Sequence, residues 1–254
     1  VAAGSDSVRS MSGFASLSRK VVRIPLRAIP RGTVLPVLSG PLRGARWVVG
    51  AGTHGCWLGT YEPLTRRWIS ALLSRGDVAY DVGANVGFFT LLASRIVGKG
   101  GAVVAFEPFP ANVRALRRHV DLNRAGNVTI VEAAVSDRAG LARFEPAGNP
   151  AMGGLAEGGA LEVETVALDK LLRERGLPKP NLLKIDVEGA EAQVLQGGIR
   201  CLEEAHPAIV LSAHGWQRFE ECGTLLASVG YEQEVVKDGA EDGDYLVIAR
   251  SRKA

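Results

Sequence analysis

A chain of 254 residues that is 46% hydrophobic and 22% charged is long enough for one sizeable core. That composition excludes a collagenous, disordered or disulfide-stapled protein. The net charge of +3 is unevenly spread: residues 1–46 carry eight Arg or Lys against Asp6 alone, a net +7, which leaves −4 on the remainder.

Residues 1–30 are rich in Ser and Arg, are interrupted by Pro25 and Pro30, and read as a basic N-terminal extension. Val8, Met11, Ala15 and Val22 fall near helical spacing, so this arm is either a partly solvated extension or a surface for peripheral contact with anionic lipid, or with the phosphates of a nucleic acid. β-prone runs at 33–38 and 45–49, broken by Gly40-Pro41 and by the glycines of 50–55, predict a β-rich cap over residues 31–62. Pro63 opens a helix predicted over 63–74, with Gly76 beyond its end.

From there the main domain is expected to run over residues 63–254. Strands are predicted at 78–82, 102–106, 128–131, 182–185 and 208–211, with helices at 88–97 and 111–123. Near-continuous apolar strands alternating with helices indicate an α/β fold whose parallel sheet is covered on both faces. Two last strands, 231–236 and 245–249, flank an acidic, glycine-rich turn and predict an antiparallel hairpin at the sheet edge. Residues 139–166 contain Gly148, Pro150, Gly153, Gly154, Gly158 and Gly159, and read as an inserted loop of the kind that covers a ligand.

The three cysteines, Cys56, Cys201 and Cys222, lie far apart and form no CxxC motif, so buried thiols in a reducing compartment are expected. No apolar run approaches the ~20 residues that cross a bilayer, and no secretory signal is visible, which predicts a cytoplasmic protein.

The most informative run is Asp81-Val82-Gly83-Ala84-Asn85-Val86-Gly87, between the first strand of the main domain and its helix. Open α/β sheets bind ligands just beyond the carboxyl ends of their strands, and glycines there let the backbone turn sharply and approach a ligand. A dinucleotide site needs G-x-G-x-x-G to seat a pyrophosphate. Here the spacing is D-x-G-x-x-x-G with Asn85 at the second glycine position, which suits a ligand bearing a sulfonium and a carboxylate better and argues against a nucleotide-dependent oxidoreductase. Glu107 ends the second strand 20 residues beyond Gly87, where a carboxylate can accept from both ribose hydroxyls. Backbone groups of 133–137 can reach an adenine edge, with Asp137 either accepting from the exocyclic amine or closing a turn.

Taken together, DVGANVGFFTLLA, AFEPFP, EAAVSD and LLKIDVEGAEAQVLQGG resemble the FkbM family of class I S-adenosylmethionine-dependent methyltransferases over residues 55–250. The resemblance implies a Rossmann-like sheet of seven strands, one of them antiparallel. It also implies methyl transfer, usually to oxygen, with a small-molecule or glycan hydroxyl as acceptor. Carried over residue by residue, Asp81, Gly83, Asn85 and Gly87, with Ala84 and Phe88 beside them, would surround the methionine part of S-adenosylmethionine. Glu107 and Pro108 would hold the ribose, Ala134 would border the adenine, and Tyr61, Glu62 and Asp186 would reach the cofactor. One departure is visible: where family members commonly carry an acid two residues before a His-like residue after the fifth strand, this chain has Ser212 before His214.

A sulfonium methyl is already electrophilic, so the protein's tasks are alignment and activation of a poorly nucleophilic alcohol. Asp186 and Glu188 can bind the acceptor hydroxyl, accept its proton or share a divalent cation, and Lys184 either joins them or pairs with one acid at the strand end. His214 is the leading imidazole for a general base, against a purely structural reading. His54 is a weaker candidate, and His119 and His206 read as surface or turn residues. Trp57 and Trp216 either flank an acceptor ring or pack in the interior. No multi-His set is present, so no metal ligand is assigned. Two further readings stay open: methylation of a nucleic acid held by the basic arm, and a cofactor-binding module without turnover, which Ser212 makes more credible.

Overall fold

The apolar runs do pair into one central sheet. The computed structural model describes residues 29–146, 153–156, 158–239 and 243–253, so the helical reading of Val8 to Val22 lies outside the described residues. In chain order, β1 (Val34–Pro36) pairs antiparallel with β2 (Arg46–Val48), followed by α1 (His54–Leu58) and α2 (Pro63–Leu72). The α/β units are β3 (Val78–Val82), α3 (Phe88–Val97), β4 (Ala102–Phe106), α4 (Pro110–Leu122) and β5 (Val128–Val131). Then come β6 (Ala134–Val135), β7 (Gly140–Pro146), β8 (Gly153–Leu155), β9 (Leu161–Val166) and α5 (Leu168–Arg175). The chain closes with β10 (Leu182–Ile185), α6 (Glu191–Gln196), α7 (Ile199–Ala205), β11 (Ala208–His214), α8 (Trp216–Ser228), β12 (Tyr231–Asp238) and β13 (Asp244–Ser251).

The sheet order is β12-β13-β11-β10-β3-β4-β5. β3, β4, β5, β10 and β11 run parallel, while β13 is antiparallel to both neighbours, as the edge hairpin required. After β3 the chain moves to one side through β4 and β5, then returns to β10 and moves to the other. The order therefore reverses between β3 and β10, and a crevice opens beyond their carboxyl ends, where Gly83 and Asp186 stand. Tyr80, Val82, Phe106, Leu183, Ile185, Ile209 and Leu211 are all buried, which explains why these strands lack polar alternation. The three cysteines are buried as well. Among the described residues no helix is long and apolar enough to cross a membrane.

Two expectations need correction. Residues 139–166 are not an irregular loop: β7 pairs antiparallel with β9, and with β8 and β6 they make a second sheet in the order β6-β9-β7-β8. Ala134, Phe144 and Val163 form its small core. Its glycines mark crowding as much as turning, since a Cβ on Gly159 would lie within 2.5 Å of the Phe144 backbone.

His119 is not a surface residue. It is fully buried, stacks on Trp47 with centroids 3.9 Å apart, and its Nε2 accepts from the Val48 N–H at 3.0 Å. That bond fixes the tautomer, so Nδ1–H donates to the Val86 carbonyl at 2.7 Å. Val113, Leu116 and His119 fall three apart on the buried face of α4, a phase that the sequence already contained. The residues of the cap belong to one unit with the main domain, Arg31–Ala254. Trp57 is a packing residue, 4% exposed, with its Nε1–H donating to His54 Nδ1 at 3.1 Å.

Candidate active site

The crevice deepens into a cavity of about 520 Å³, a volume ordinary for small-molecule sites. Its floor is shaped by a close approach: a Cβ on Gly83, which has φ +75°, would collide with the carbonyl oxygen of Asp186. The first turn and the end of β10 can touch only because that residue is glycine. Among the described residues five non-glycines have positive φ, and three of them, Glu62 (36°), Asn85 (51°) and Glu188 (54°), line this cavity. Such backbone strain concentrates where function holds a side chain in place.

On one wall stands Glu107, 4% exposed at the end of β4. Its Oε2 accepts from the Asn85 N–H at 2.8 Å, and its Oε1 from the Phe109 N–H at 2.9 Å and from Asn112 at 3.3 Å. A carboxylate offers about four acceptor positions, so lone pairs remain for a ligand. Burial outweighs these bonds and raises the Glu107 pKa. Beside it Phe109 stacks on Phe144 of β7 at 5.8 Å, and with Ala134 they wall a slot suited to a flat ring. The sequence at 139–166 thus does contribute to covering the cavity, through Phe144, Gly153, Gly154 and Leu155.

At the opposite end the charged groups converge. Lys184, 3% exposed on β10, stands 3.3 Å from Asp81 Oδ1 and 3.4 Å from Asp186 Oδ2, and donates to the Gly83 carbonyl at 2.8 Å. Burial opposes its charge, but Asp81, Asp186 and Glu62 prevail and its pKa is raised. Glu62, the residue before α2, has its pKa raised by burial and then by Asp186. Tyr61 packs edge-on to Phe88 at 5.2 Å.

His214 ends β11, and its Nε2 lies 3.6 Å from Asp186 Oδ1 and 3.6 Å from Glu188 Oε2. Its Nδ1 meets Glu191 Oε1 at 2.7 Å. Burial works against its charge, yet the bond to Glu191 and the fields of Asp186 and Glu188 raise its pKa to about 9. Glu188 is itself raised, first by burial, with His214 opposing.

The cavity brings together Glu62, Gly83, Ala84, Asn85, Phe88, Glu107, Pro108, Ala134, Lys184, Asp186, Glu188 and His214 from the sequence-based set. Two members do not line it. Asp81 lies behind the wall, 2% exposed, accepting from Thr90 Oγ1 at 2.6 Å and holding Lys184. Gly87 is the left-handed residue that starts α3, facing Leu116. Asp137 is exposed, accepts from the Ser136 hydroxyl at 3.1 Å and stays off the cavity. Ser212 does line it, on the same strand face as His214.

Sequence reading gave no role to Glu191, although it sits three residues after Glu188. It also passed over Phe109 and Asn112, two and five residues beyond Glu107, where the turn into α4 had to place them.

A model of the methyltransferase FkbM domain family matches residues 81–234. Hexuronic acid methyltransferase AglP of Haloferax volcanii is 29% identical over 176 residues, covering 68% of this chain and 71% of that protein. The 31-O-demethyl-FK506 methyltransferase FkbM of Streptomyces tacrolimicus is 37% identical over 160 residues, covering 49% of this chain and 60% of that one. Among solved structures, an FkbM methyltransferase from Methylobacillus flagellatus superposes with a TM-score of 0.50 at 19% identity, over 72% of this chain and 47% of the other. An S-adenosylmethionine-dependent O-methyltransferase from Thermotoga maritima superposes with a TM-score of 0.50 at 13% identity, over 87% and 78%. These structures share the sheet described above.

Proposed function

Because the chain belongs to the FkbM family of methyltransferases and has the class I methyltransferase fold, we propose that it methylates a hydroxyl of a sugar or sugar-like small molecule, with S-adenosylmethionine as donor. The observation that carries this reading is a single cavity with a buried carboxylate, Glu107, at one end and the Asp186–Glu188–His214 cluster at the other.

The residues fit the donor. Glu107 would take the ribose hydroxyls, with Pro108 beside it, and Ala134, Phe109 and Phe144 would enclose the base. Gly83, Ala84, Asn85 and Phe88 would border the methionine part, where Glu62 and Asp186 suit a cationic sulfonium and ammonium. Asp81 and Gly87 would act at one remove, Asp81 by fixing Lys184 and Gly87 by starting α3. When bound, the donor supplies an electrophilic methyl group, which leaves alignment and proton removal to the protein.

The acceptor hydroxyl would dock against Asp186 and Glu188. His214 Nε2, 3.6 Å from an oxygen of each acid, holds these two carboxylates together, and their oxygens receive the hydroxyl proton. Ser212 removes no member of this cluster. The sugar-like acceptor is supported by Trp216, 57% exposed beside Phe219 and Tyr245, the last of which reaches the cavity. An exposed aromatic face near carboxylates suits a sugar ring, which is apolar on its faces and polar at its edge. The two named relatives act on a hexuronic acid and on a demethylated FK506.

Isothermal titration tests the donor half. Wild type should bind S-adenosylmethionine and its demethylated product in the micromolar range, and Glu107→Ala should weaken both by about 10- to 100-fold. A folded wild type that binds neither would sink the proposal.

A further inference from the structure

The side chains of Asp186, Glu188 and His214 each offer one donor atom, and these atoms all lie within 4.8 Å of one another. The geometry points to a binding site for one divalent transition-metal cation, held by Asp186, Glu188 and His214 at the acceptor end of the cavity.

The donor set is formed from rigid parts. Asp186 follows β10 and His214 ends β11, two strands in parallel register from Leu182↔Ala208 to Ile185↔Leu211. Glu188 is turned toward the same point by its positive φ, and its carbonyl is backed closely by Gly154 of β8, where a Cβ would come within 2.6 Å. His214 Nε2 stands 3.6 Å from an oxygen of each acid. An ion held at ~2.1 Å from its ligands places adjacent donors about 3 Å apart, so small side-chain movements complete the sphere.

Two features separate this arrangement from an ordinary ion-pair cluster. First, the orienting partner of the imidazole is in place: the buried Glu191 accepts at Oε1 from the Gly189 N–H at 2.9 Å and holds His214 Nδ1 at 2.7 Å. A carboxylate on one imidazole nitrogen, with the other nitrogen aimed at converging carboxylates, is the outer-shell pattern of metal-bound histidine. Second, the two oxygens of Asp186 are divided. Oδ2 faces Lys184, while Oδ1 faces His214, on the side where Glu188 converges.

Two carboxylates with one imidazole suit a divalent transition metal, for which Mn²⁺ is a convenient paramagnetic probe, better than Mg²⁺ or Ca²⁺ with their all-oxygen shells. The three side chains are 21%, 33% and 22% exposed, so the ion keeps coordination positions open to the cavity. Its role, to hold the acceptor hydroxyl in place, rests on the methyl-transfer reading; its binding does not.

The test uses untagged full-length protein stripped with a chelator, titrated with MnCl₂ and followed by calorimetry and by the electron paramagnetic resonance signal of free Mn²⁺. The expected result is one Mn²⁺ per chain with a micromolar Kd, and weaker binding of MgCl₂. Glu188→Gln and His214→Gln should each weaken Mn²⁺ binding at least tenfold, and Glu191→Gln by about 10- to 100-fold, with melting temperatures recorded for each. Wild-type affinity no higher than that of a folded Glu188→Gln/His214→Gln double variant would overturn the site. S-adenosylmethionine is titrated in parallel. Protein that takes up Mn²⁺ but not this donor supports the site while sinking the methyl-transfer reading.

Discussion

Glu191 Oε1 lies 2.7 Å from Nδ1 of His214, and it reaches that nitrogen from within the core, where Glu191 is 0% exposed. The bond couples the first turn of α6 to the end of β11 and sets which nitrogen of the imidazole faces the cavity. It also makes Glu191 a positioning residue, because it touches the cavity only through His214.

Replacing Glu191 with Gln keeps the shape and removes the anion. The charged imidazole then loses its main favourable partner, so the His214 pKa should fall from about 9 toward the ordinary value of 6.5. Nuclear magnetic resonance of the imidazole in chelator-treated protein reads this directly. An unchanged pKa in a folded variant would mean that Asp186 and Glu188 alone hold the proton.

His119 predicts an acid-sensitive fold. Burial lowers its pKa from 6.5 to about 4, and the neutral form is the one that accepts from Val48. Between these values the unfolded chain binds the proton and the native one does not, so stability is complete above pH 6.5 and declines as the pH falls toward 4. The loss from this group should be about 3 kcal/mol. Urea unfolding at successive pH values measures it, and His119→Asn should start less stable at pH 7 but decline less steeply.

Gly83→Ala should be costly for two independent reasons. The residue has φ +75°, and the new methyl would meet a backbone carbonyl that β10 holds in place. A loss of about 3 kcal/mol or more is expected, or roughly 6–12 °C in Tm for a chain of this size. Gly126, around which a Cβ meets nothing within 4 Å, is the control: Gly126→Ala should leave Tm nearly unchanged. Equal melting of the two variants would show that the Gly83–Asp186 approach is not required.

Trp216→Ala separates acceptor from donor. Because Trp216 is exposed and packs only against Phe219 and Tyr245 among the described rings, stability and S-adenosylmethionine affinity should hardly change. In an acceptor screen of hexuronates and other sugars, KM for any accepted substrate should rise about fivefold or more, consistent with the loss of one aromatic contact of about 1 kcal/mol. A KM equal to that of wild type would place the sugar elsewhere.

Much of the fold could be read from single residues and their spacing. Strands 78–82, 102–106, 128–131 and 182–185 appear where their apolar runs placed them, and Pro63 and the glycines mark the turns they were expected to mark. Gly83, Asn85 and Glu107 all line the cavity, and the sequence singled them out because a nucleoside site at a strand–helix turn would need a bare backbone and a carboxylate at fixed separations. Those requirements are local, so one stretch of sequence expresses them.

Other features depend on contacts between distant segments, and only the folded chain decided them. Glycines at 153, 154 and 159 suggested a loop, but their lack of side chains lets β8 and its neighbours lie close to Phe144 and Glu188. His119 looked peripheral until Val48 and Val86, 71 and 33 residues away, supplied its partners. Asp81 belonged to the recognisable motif, yet Lys184 draws it behind the cavity wall. Glu191 and His214 are 23 residues apart on different elements, and nothing in either neighbourhood names the other. Periodicity and turn chemistry determine which elements form; which titratable groups end within hydrogen-bond reach depends on the register of β10 against β11 and β3, and that register exists only in the packed sheet.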